Sequence, residues 1–323
     1  MLKYTLAESE LGDVRFGISP LCEMGVSLRA LKDPARYPLQ LPWLRRIDPL
    51  RSALDIDVLM ALIDDRLWTP DFLNPRPASP LIRIEDDLDG LRRIDPERFV
   101  RQLTELHGSV PDVLRGDPSR ALERSALALE EYWESCFRPY WLRMRTILEA
   151  DIVYRGRRVA QSGLANMMNG VSPNMTFADN AISIRLRHSL IRTQPVAGRG
   201  ITLVPTIFTT RASAPLDGSE PPMIMYAARG QGAVWEQEIA DSDAGAVGLL
   251  GATRAALLAA LAEPASSTEL GIRFDVTASA VNQHLRALRL GRLVVSTRYG
   301  HSVLYLRSEL GAALLGVSSK DDA

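Results

Sequence analysis

Apolar positions recur at helical spacing through most of the first half of the chain. In Ser19–Leu31 the residues Leu21, Met24, Leu28 and Leu31 share one helix face, and Asp33-Pro34 ends the run. Leu54–Leu67 repeats the pattern with Leu54, Val58, Leu59, Leu62 and Ile63. Four prolines from Pro70 to Pro80 then exclude a helix. Asp117-Pro118 has the form of a helix start, with Asp as cap and Pro in the first turn. Leu122, Ala126, Leu129, Trp133 and Phe137 mark the face that follows. Pro139 breaks or kinks it, and a further helical run carries Trp141, Met144, Leu148 and Ile152.

From about 171 to 230 the period changes. Ala181–Leu186 alternates Ile182, Ile184 and Leu186 with Ser183 and Arg185, while Ile201–Thr209 and Met223–Ala228 are short β-branched or apolar runs. Gly198-Arg199-Gly200 and Asp217-Gly218 punctuate them, and the segment predicts a small antiparallel sheet. Residues 231–247 have the character of a connector, interrupted by Asp241-Ser242-Asp243.

The region from 248 onward is the most informative. Leu249–Leu261 predicts one helix, with Leu250, Leu257, Leu258 and Leu261 inward and Glu263-Pro264 as its stop. Ser266 and Glu269 fit a capping box that opens a short helix, about Ser267–Phe274. Asp275-Val276-Thr277 turns the chain. Thr277 caps a longer helix, Ala278–Leu290, with Val276 and Val281 spaced as a hydrophobic staple; Val281, Leu285 and Leu288 face inward. Gly291 is expected to end it in a positive-φ conformation. Leu293–Thr297 and Ser302–Arg307 follow as strands of a hairpin. A short helix, a tight turn, a longer helix and a hairpin are the parts of a winged helix-turn-helix. The fold class expected is therefore α+β and predominantly helical. A helical N-terminal domain with a small antiparallel sheet, residues 1–230, precedes a connector, 231–247, and a C-terminal winged helix-turn-helix domain, 248–323.

Charge sharpens this picture only locally. The 323 residues hold 38 Lys+Arg and 39 Asp+Glu, a net charge of -1, so the whole chain carries no general attraction for polyanions. Between Thr277 and Ser308, however, there are five arginines (286, 289, 292, 298 and 307) and no Asp or Glu. Such a face favours phosphate contact through counterion release. With Val281, Leu285 and Leu288 inward, Thr277, Ser279, Ala280, Asn282, Gln283, His284 and Arg286 remain for groove or backbone contact. Asn and Gln suit adenine, and Arg suits guanine or phosphate. Arg298, Tyr299 and His301 at the hairpin tip are placed to reach the flanking backbone or minor groove.

Residues of about 249–308 resemble the winged-helix module of ArsR-type regulators. The likeness rests on Thr277-Ala278-Ser279-Ala280-Val281-Asn282-Gln283-His284-Leu285-Arg286-Ala287-Leu288, on Gly291-Arg292-Leu293-Val294 and on Arg298-Tyr299-Gly300-His301. The resemblance implies a homodimer on promoter DNA, usually as a repressor. Metal sensors of that family often carry Cys-x-Cys on the short helix. Here that helix reads Thr268-Glu269-Leu270-Gly271-Ile272-Arg273-Phe274, so no metal site is expected there. The front half resembles an uncharacterised domain of actinobacteria that precedes such modules. Phe16-Gly17-Ile18-Ser19-Pro20-Leu21-Cys22-Glu23, Leu41-Pro42-Trp43-Leu44 and Pro70-Asp71-Phe72-Leu73-Asn74-Pro75 carry that likeness.

Double-stranded DNA, a second copy of the chain and a small-molecule effector are the partners expected, with no cofactor. Two cysteines, Cys22 and Cys136, are too few for a disulfide framework, and a reducing cytoplasm fits them. Met1–Glu10 does not have the form of a signal peptide. The longest apolar stretches fall short of the roughly 18 residues a membrane span needs. Trp133, Trp141, Met144, Met167, Met168, Met223 and Met225 are at spacings typical of plain core. The four histidines (107, 188, 284 and 301) are scattered, and no nucleophile elbow, phosphate loop or metalloprotease motif is present, so catalysis is not expected. Two other readings stand beside the regulator: a winged helix that docks on protein, and an enzyme in the front region tethered to DNA.

Overall fold

A computed structural model describes residues 1–77, 82–186, 191–218, 220–236, 241–299 and 302–315. The chain divides into two compact units, Met1–Trp235 and Glu236–Ala323, and the division falls inside the connector segment 231–247.

The first unit runs β1 (Leu2–Thr5), β2 (Val14–Phe16), α1 (Pro20–Lys32), α2 (Leu41–Ile47), α3 (Ile56–Ala61), α4 (Ile84–Arg92), α5 (Pro96–His107), α6 (Pro118–Tyr132), α7 (Arg138–Asn169), β3 (Met175–Ala178), β4 (Ala181–Ile184), β5 (Arg192–Pro195), β6 (Ile201–Thr206), β7 (Met223–Ala227) and α8 (Ala233–Glu236). Side-chain caps set several starts. Ser19 accepts from the Cys22 N–H at 3.0 Å, Asp55 from Val58 at 3.2 Å and Asp117 from Arg120 at 2.9 Å. The Leu54–Leu67 run gives only the short α3. Beyond it the buried Asp64 carboxylate accepts the N–H groups of Arg66 and Trp68 and closes a turn in which Leu67 takes φ 66°. Between α6 and α7 lies one π turn, Trp133–Phe137, and Pro139 stands in the first turn of α7, where its missing N–H costs no hydrogen bond. A second break comes at Gly163, at φ 80° and ψ 163°.

The strands correct the expectation of one antiparallel sheet. They form two sheets, and each takes a strand from the N-terminus. β1 lies between β4, antiparallel, and β5, parallel, in the order β3-β4-β1-β5. The other sheet, β2-β6-β7, is parallel throughout. Residues 207–222 supply the long crossover that parallel neighbours need. All six residues of β6 are buried, as in a parallel strand covered on both faces.

One apolar core joins the helices to one side of the parallel sheet around Trp43, Phe137 and Phe208; a second joins both sheets to the end of α7. Trp133, Met144, Met167, Met168, Met223 and Met225 all belong to these cores, and Trp141 packs against the first. Three carboxyls tie segments together, Glu23 and Asp87 buried and Asp71 half-buried. Glu23 accepts the Ile207 N–H at 2.8 Å, and burial pushes its pKa up to about 8. Asp87 accepts from the Leu21 N–H and the Ser19 hydroxyl, and burial raises it to about 6. Asp71 accepts the N–H groups of Leu216 and Asp217, and burial likewise raises it to about 6.

The second unit runs α9 (Asp241–Leu250), α10 (Ala252–Ala260), β8 (Ala265–Ser266), α11 (Ser267–Phe274), α12 (Ala278–Leu290), β9 (Val294–Tyr299), β10 (Ser302–Arg307) and α13 (Glu309–Leu314). The three strands are antiparallel in the order β8-β10-β9. Two boundaries differ from expectation. Leu249–Leu261 is not one helix, because Gly251 takes φ 80° and ψ 156° and separates α9 from α10. Asp241 begins α9 and does not interrupt a helix.

Candidate nucleic-acid interface

The chemistry of the second unit is set by how α11 and α12 are held. Ser266 and Glu269 form the capping box: the Glu269 N–H donates to Ser266 Oγ at 3.2 Å, and the Ser266 N–H donates back to Glu269 Oε2 at 2.5 Å. Asp275 ends α11 at φ 53°, a left-handed position that Asp tolerates better than most residues. The turn then closes on Gly271, whose carbonyl accepts the Val276 N–H at 2.9 Å. A Cβ at Gly271 would stand 2.8 Å from the Val276 carbonyl oxygen, so this close approach requires glycine. Thr277 Oγ1 caps α12 by accepting the Ala280 N–H at 3.2 Å. Val276 remains 42% exposed, so its half of the expected staple buries little.

Val281, Leu285 and Leu288 are buried in the core of this unit with Leu257, Leu258, Leu261 and Leu270. At 100° per residue, Ser279, Asn282, Gln283 and Arg286 cluster on the opposite side of the helix. Thr277, Ser279, Gln283 and Arg286 are exposed; Ala280, Asn282 and His284 are half-buried. The outer face thus carries an amide, a guanidinium and hydroxyls free of the unit's own packing. Arg298 is exposed on β9. His301 and the side chain of Tyr299 lie outside the described residues.

The end of α12 corrects another expectation. Gly291 sits at φ -73°, and the residue with positive φ is Arg292, at 57°. The Leu293 N–H donates to the Leu288 carbonyl at 2.9 Å, and the Arg292 N–H to the Arg289 carbonyl at 3.0 Å. These are the two bonds of a Schellman motif, with Leu293 packing into the same core as Leu288. The helix itself ends at Leu290 with Gly291 as its cap, as expected; only the left-handed residue falls one position later. The left-handed turn directs Arg292 outward, where it is exposed.

Electrostatically this surface differs from its surroundings. Arg289 donates to Ser296 Oγ at 3.4 Å, which links α12 to β9. Among the described residues, Arg286, Arg292 and Arg298 have no acidic partner. Gly311 fixes the base of the hairpin, because a Cβ there would lie 2.3 Å from the Leu293 carbonyl oxygen and 3.0 Å from Arg307 Cγ.

Comparison with known proteins reaches only the first unit. Residues 3–126 are similar to a family of unknown function (DUF5937), a span from β1 into α6. No curated protein matches the chain, and no solved structure does. Among the described residues no helix is long and apolar enough to cross a membrane, and no group of three or more His, Cys, Asp or Glu side chains is placed to hold a metal ion.

Proposed function

We propose that the chain is a cytoplasmic DNA-binding transcriptional regulator, a repressor that reads a pseudo-palindromic operator as a homodimer. In this reading the second unit is a winged helix-turn-helix: α11 and α12 are the paired helices, α12 enters the major groove, and β9–β10 is the wing. A dimer sets two such helices about 34 Å apart in successive grooves. The first unit senses a small-molecule signal and has no catalytic role. The observation that carries the proposal is the outer face of α12. Ser279, Gln283 and Arg286 stand exposed opposite a fully apolar inner face, within a segment that holds five arginines and no acid.

The test is a gel shift of the full chain on the DNA upstream of its own gene, comparing wild type with Gln283→Ala and Arg286→Ala. Loss of a base contact costs about 1–3 kcal/mol and relaxes preference at one position. Unchanged binding by both variants rejects α12 as the reading helix.

A second reading, docking on another protein, draws on a different observation. Leu290 is 87% exposed, and Val295 and Leu306, paired across the hairpin, are 51% and 36% exposed. A complex that forms without DNA and is insensitive to salt favours that reading, whereas loss of binding at raised salt favours phosphate contact.

A further inference from the structure

The first unit contains a cavity of about 130 Å³. It lies among the turn after α3, the 3-10 turn at Asp71–Leu73, the end of β4 and the loop that follows β6. Its size compares with an apolar cavity of about 150 Å³ that accepts benzene.

The walls are held without any ligand. Asn174, 2% exposed, donates from Nδ2 to the carbonyls of Arg185 at 3.1 Å and Ala212 at 2.9 Å. Its Oδ1 accepts from Ser172 Oγ at 2.7 Å and from the Ala212 N–H at 2.9 Å. Asp71 Oδ2 holds the far side through the N–H groups of Leu216 at 2.8 Å and Asp217 at 2.6 Å. Asn74 donates to the Pro70 carbonyl at 3.3 Å and to Thr69 Oγ1 at 3.4 Å. The Asp64 turn holds Leu67 and Trp68. Most of the loops around the cavity are thus pinned by a carboxylate or amide side chain, and such preorganisation lowers the entropy lost on binding.

The lining divides by chemistry. Tyr37, Leu67, Trp68 and Met225 offer an aromatic and apolar surface. Arg29, Arg66, Arg185 and Arg211 face the same space, against Asp71 as the one acid of the lining among the described residues. Asp71 already holds two backbone N–H groups. Arg66 donates to Asp64 at 2.6 Å and lies over the Trp68 ring, 5.3 Å from its centroid, so it stiffens the rim. Arg185, which also donates to the Pro173 carbonyl at 3.0 Å, and Arg211 give the cavity a positive side. Thr69, Thr209, Thr210 and Ser213 add hydroxyls to the same lining, so the cavity is mixed, with one apolar wall and convergent polar groups that can orient a small molecule. An inorganic anion would leave the aromatic and aliphatic wall in contact with water, and a neutral hydrocarbon would leave the positive charge of Arg185 and Arg211 without a counter-charge, since neither has an acidic partner among the described residues.

We propose that this cavity binds a small monocarboxylate with an apolar body about the size of a benzene ring, the ring against Trp68 and Met225 and the carboxylate toward Arg185 and Arg211. The assignment concerns the first unit alone and holds or fails independently of DNA reading.

The test is calorimetric titration of the full chain, in the absence of DNA, with benzoate, cyclohexanecarboxylate and isovalerate, and with benzamide and inorganic phosphate as comparisons. At least one of the three acids saturates at one site per chain, and benzoate binds about tenfold more tightly than benzamide, the fold-change expected of one charge-assisted contact. Arg185→Met and Arg211→Met, both exposed positions, each weaken the acid by a similar factor and leave the amide unchanged; Arg185→Lys restores part of the loss. Thermal midpoints of the ligand-free variants verify folding, and the acid–amide comparison on the wild type decides the matter even if a variant fails to fold. Absence of saturable binding by all three acids at millimolar concentration overturns the proposal. So does equal affinity for benzoate and benzamide, or tighter binding of phosphate than of every acid.

Discussion

Several arginines of the first unit are held inside the fold by acids, whereas three of the second unit project from it. Arg155, 5% exposed, lies 3.5 Å from Asp151, donates to the Gly170 carbonyl at 2.8 Å and stacks near Tyr226. Arg145, 4% exposed, pairs with Glu149 at 2.9 Å. Arg98 bridges Asp217 and Glu220, and Arg92 reaches Asp89, Glu123 and Glu130. In the second unit the exposed Arg286, Arg292 and Arg298 meet no carboxylate among the described residues. One side chain thus serves two purposes. Where acids surround it, its charge closes the structure; where they are absent, its charge is left without a counter-charge from the fold, as the proposed contact with phosphate would need. Net charge conceals this, because the chain as a whole is almost neutral.

The contrast can be broken most severely at Asp151. This carboxylate, buried at 2% exposure, accepts from Tyr226 Oη at 2.7 Å and from the Arg229 N–H at 3.1 Å besides facing Arg155. Asp151→Ala strands Arg155 in the interior and is expected to cost about 3–5 kcal/mol in urea unfolding. A loss under 1 kcal/mol would show that the cluster of Asp151, Arg155 and Tyr226 is not part of what holds α7 to β7. Glu23 comes next. Its folded pKa, about 8, lies above its ordinary value of 4.5, so between these pH values the folded state binds more protons than the unfolded one. Stability from this group is therefore present in acid and is lost as pH rises toward 8, at a limiting slope of about 1.4 kcal/mol per pH unit. Glu23→Gln should flatten this part of the stability–pH curve; an unchanged curve would place the proton elsewhere.

Two glycine-linked substitutions give smaller effects in the second unit. Gly311→Ala drives a methyl into the Leu293 carbonyl and should cost about 1–3 kcal/mol, as overpacking does. Arg292→Gly relieves a left-handed arginine and should stabilise by about 1 kcal/mol while removing one positive charge from the surface. The smallest expected effect bears most on the comparison: Arg286→Ala and Arg298→Ala should shift the thermal midpoint by no more than about 0.5 kcal/mol in equivalent stability, as exposed positions without partners do. A large destabilisation at either position would mean that these arginines hold the fold as those of the first unit do.

The sequence made some of this legible and concealed the rest for identifiable reasons. Asp117, Ser266 and Thr277 announced helix starts because capping is local chemistry. The inner face of α12 was equally visible, because Val281, Leu285 and Leu288 share one helical stripe. Sheet order was hidden. β1 and β2 are short, and their partners lie at Ala181–Ile184, Arg192–Pro195 and Ile201–Thr206, far along the chain. Parallel pairing of β6 with β7 leaves no turn signal of the kind a hairpin has. Gly251 was passed over because an apolar run continues on both sides of it. Gly291 misled because the Schellman bonds place the left-handed residue one position later, on Arg292. The cavity was invisible, since its arginines come from positions 29, 66, 185 and 211 and only the tertiary fold brings them together.

The central claim is that the outer face of α12 meets the phosphates and bases of duplex DNA, and a salt titration of binding tests it most directly. Fluorescence anisotropy of the full chain on its own upstream duplex should give an affinity that falls linearly with salt on logarithmic axes. Arg286→Ala should reduce the slope by about 0.9 if its contact is to phosphate, or leave the slope and relax sequence preference if its contact is to a base. An affinity that ignores salt, with Arg286→Ala and Gln283→Ala indistinguishable from wild type on both specific and random duplexes, would contradict the account.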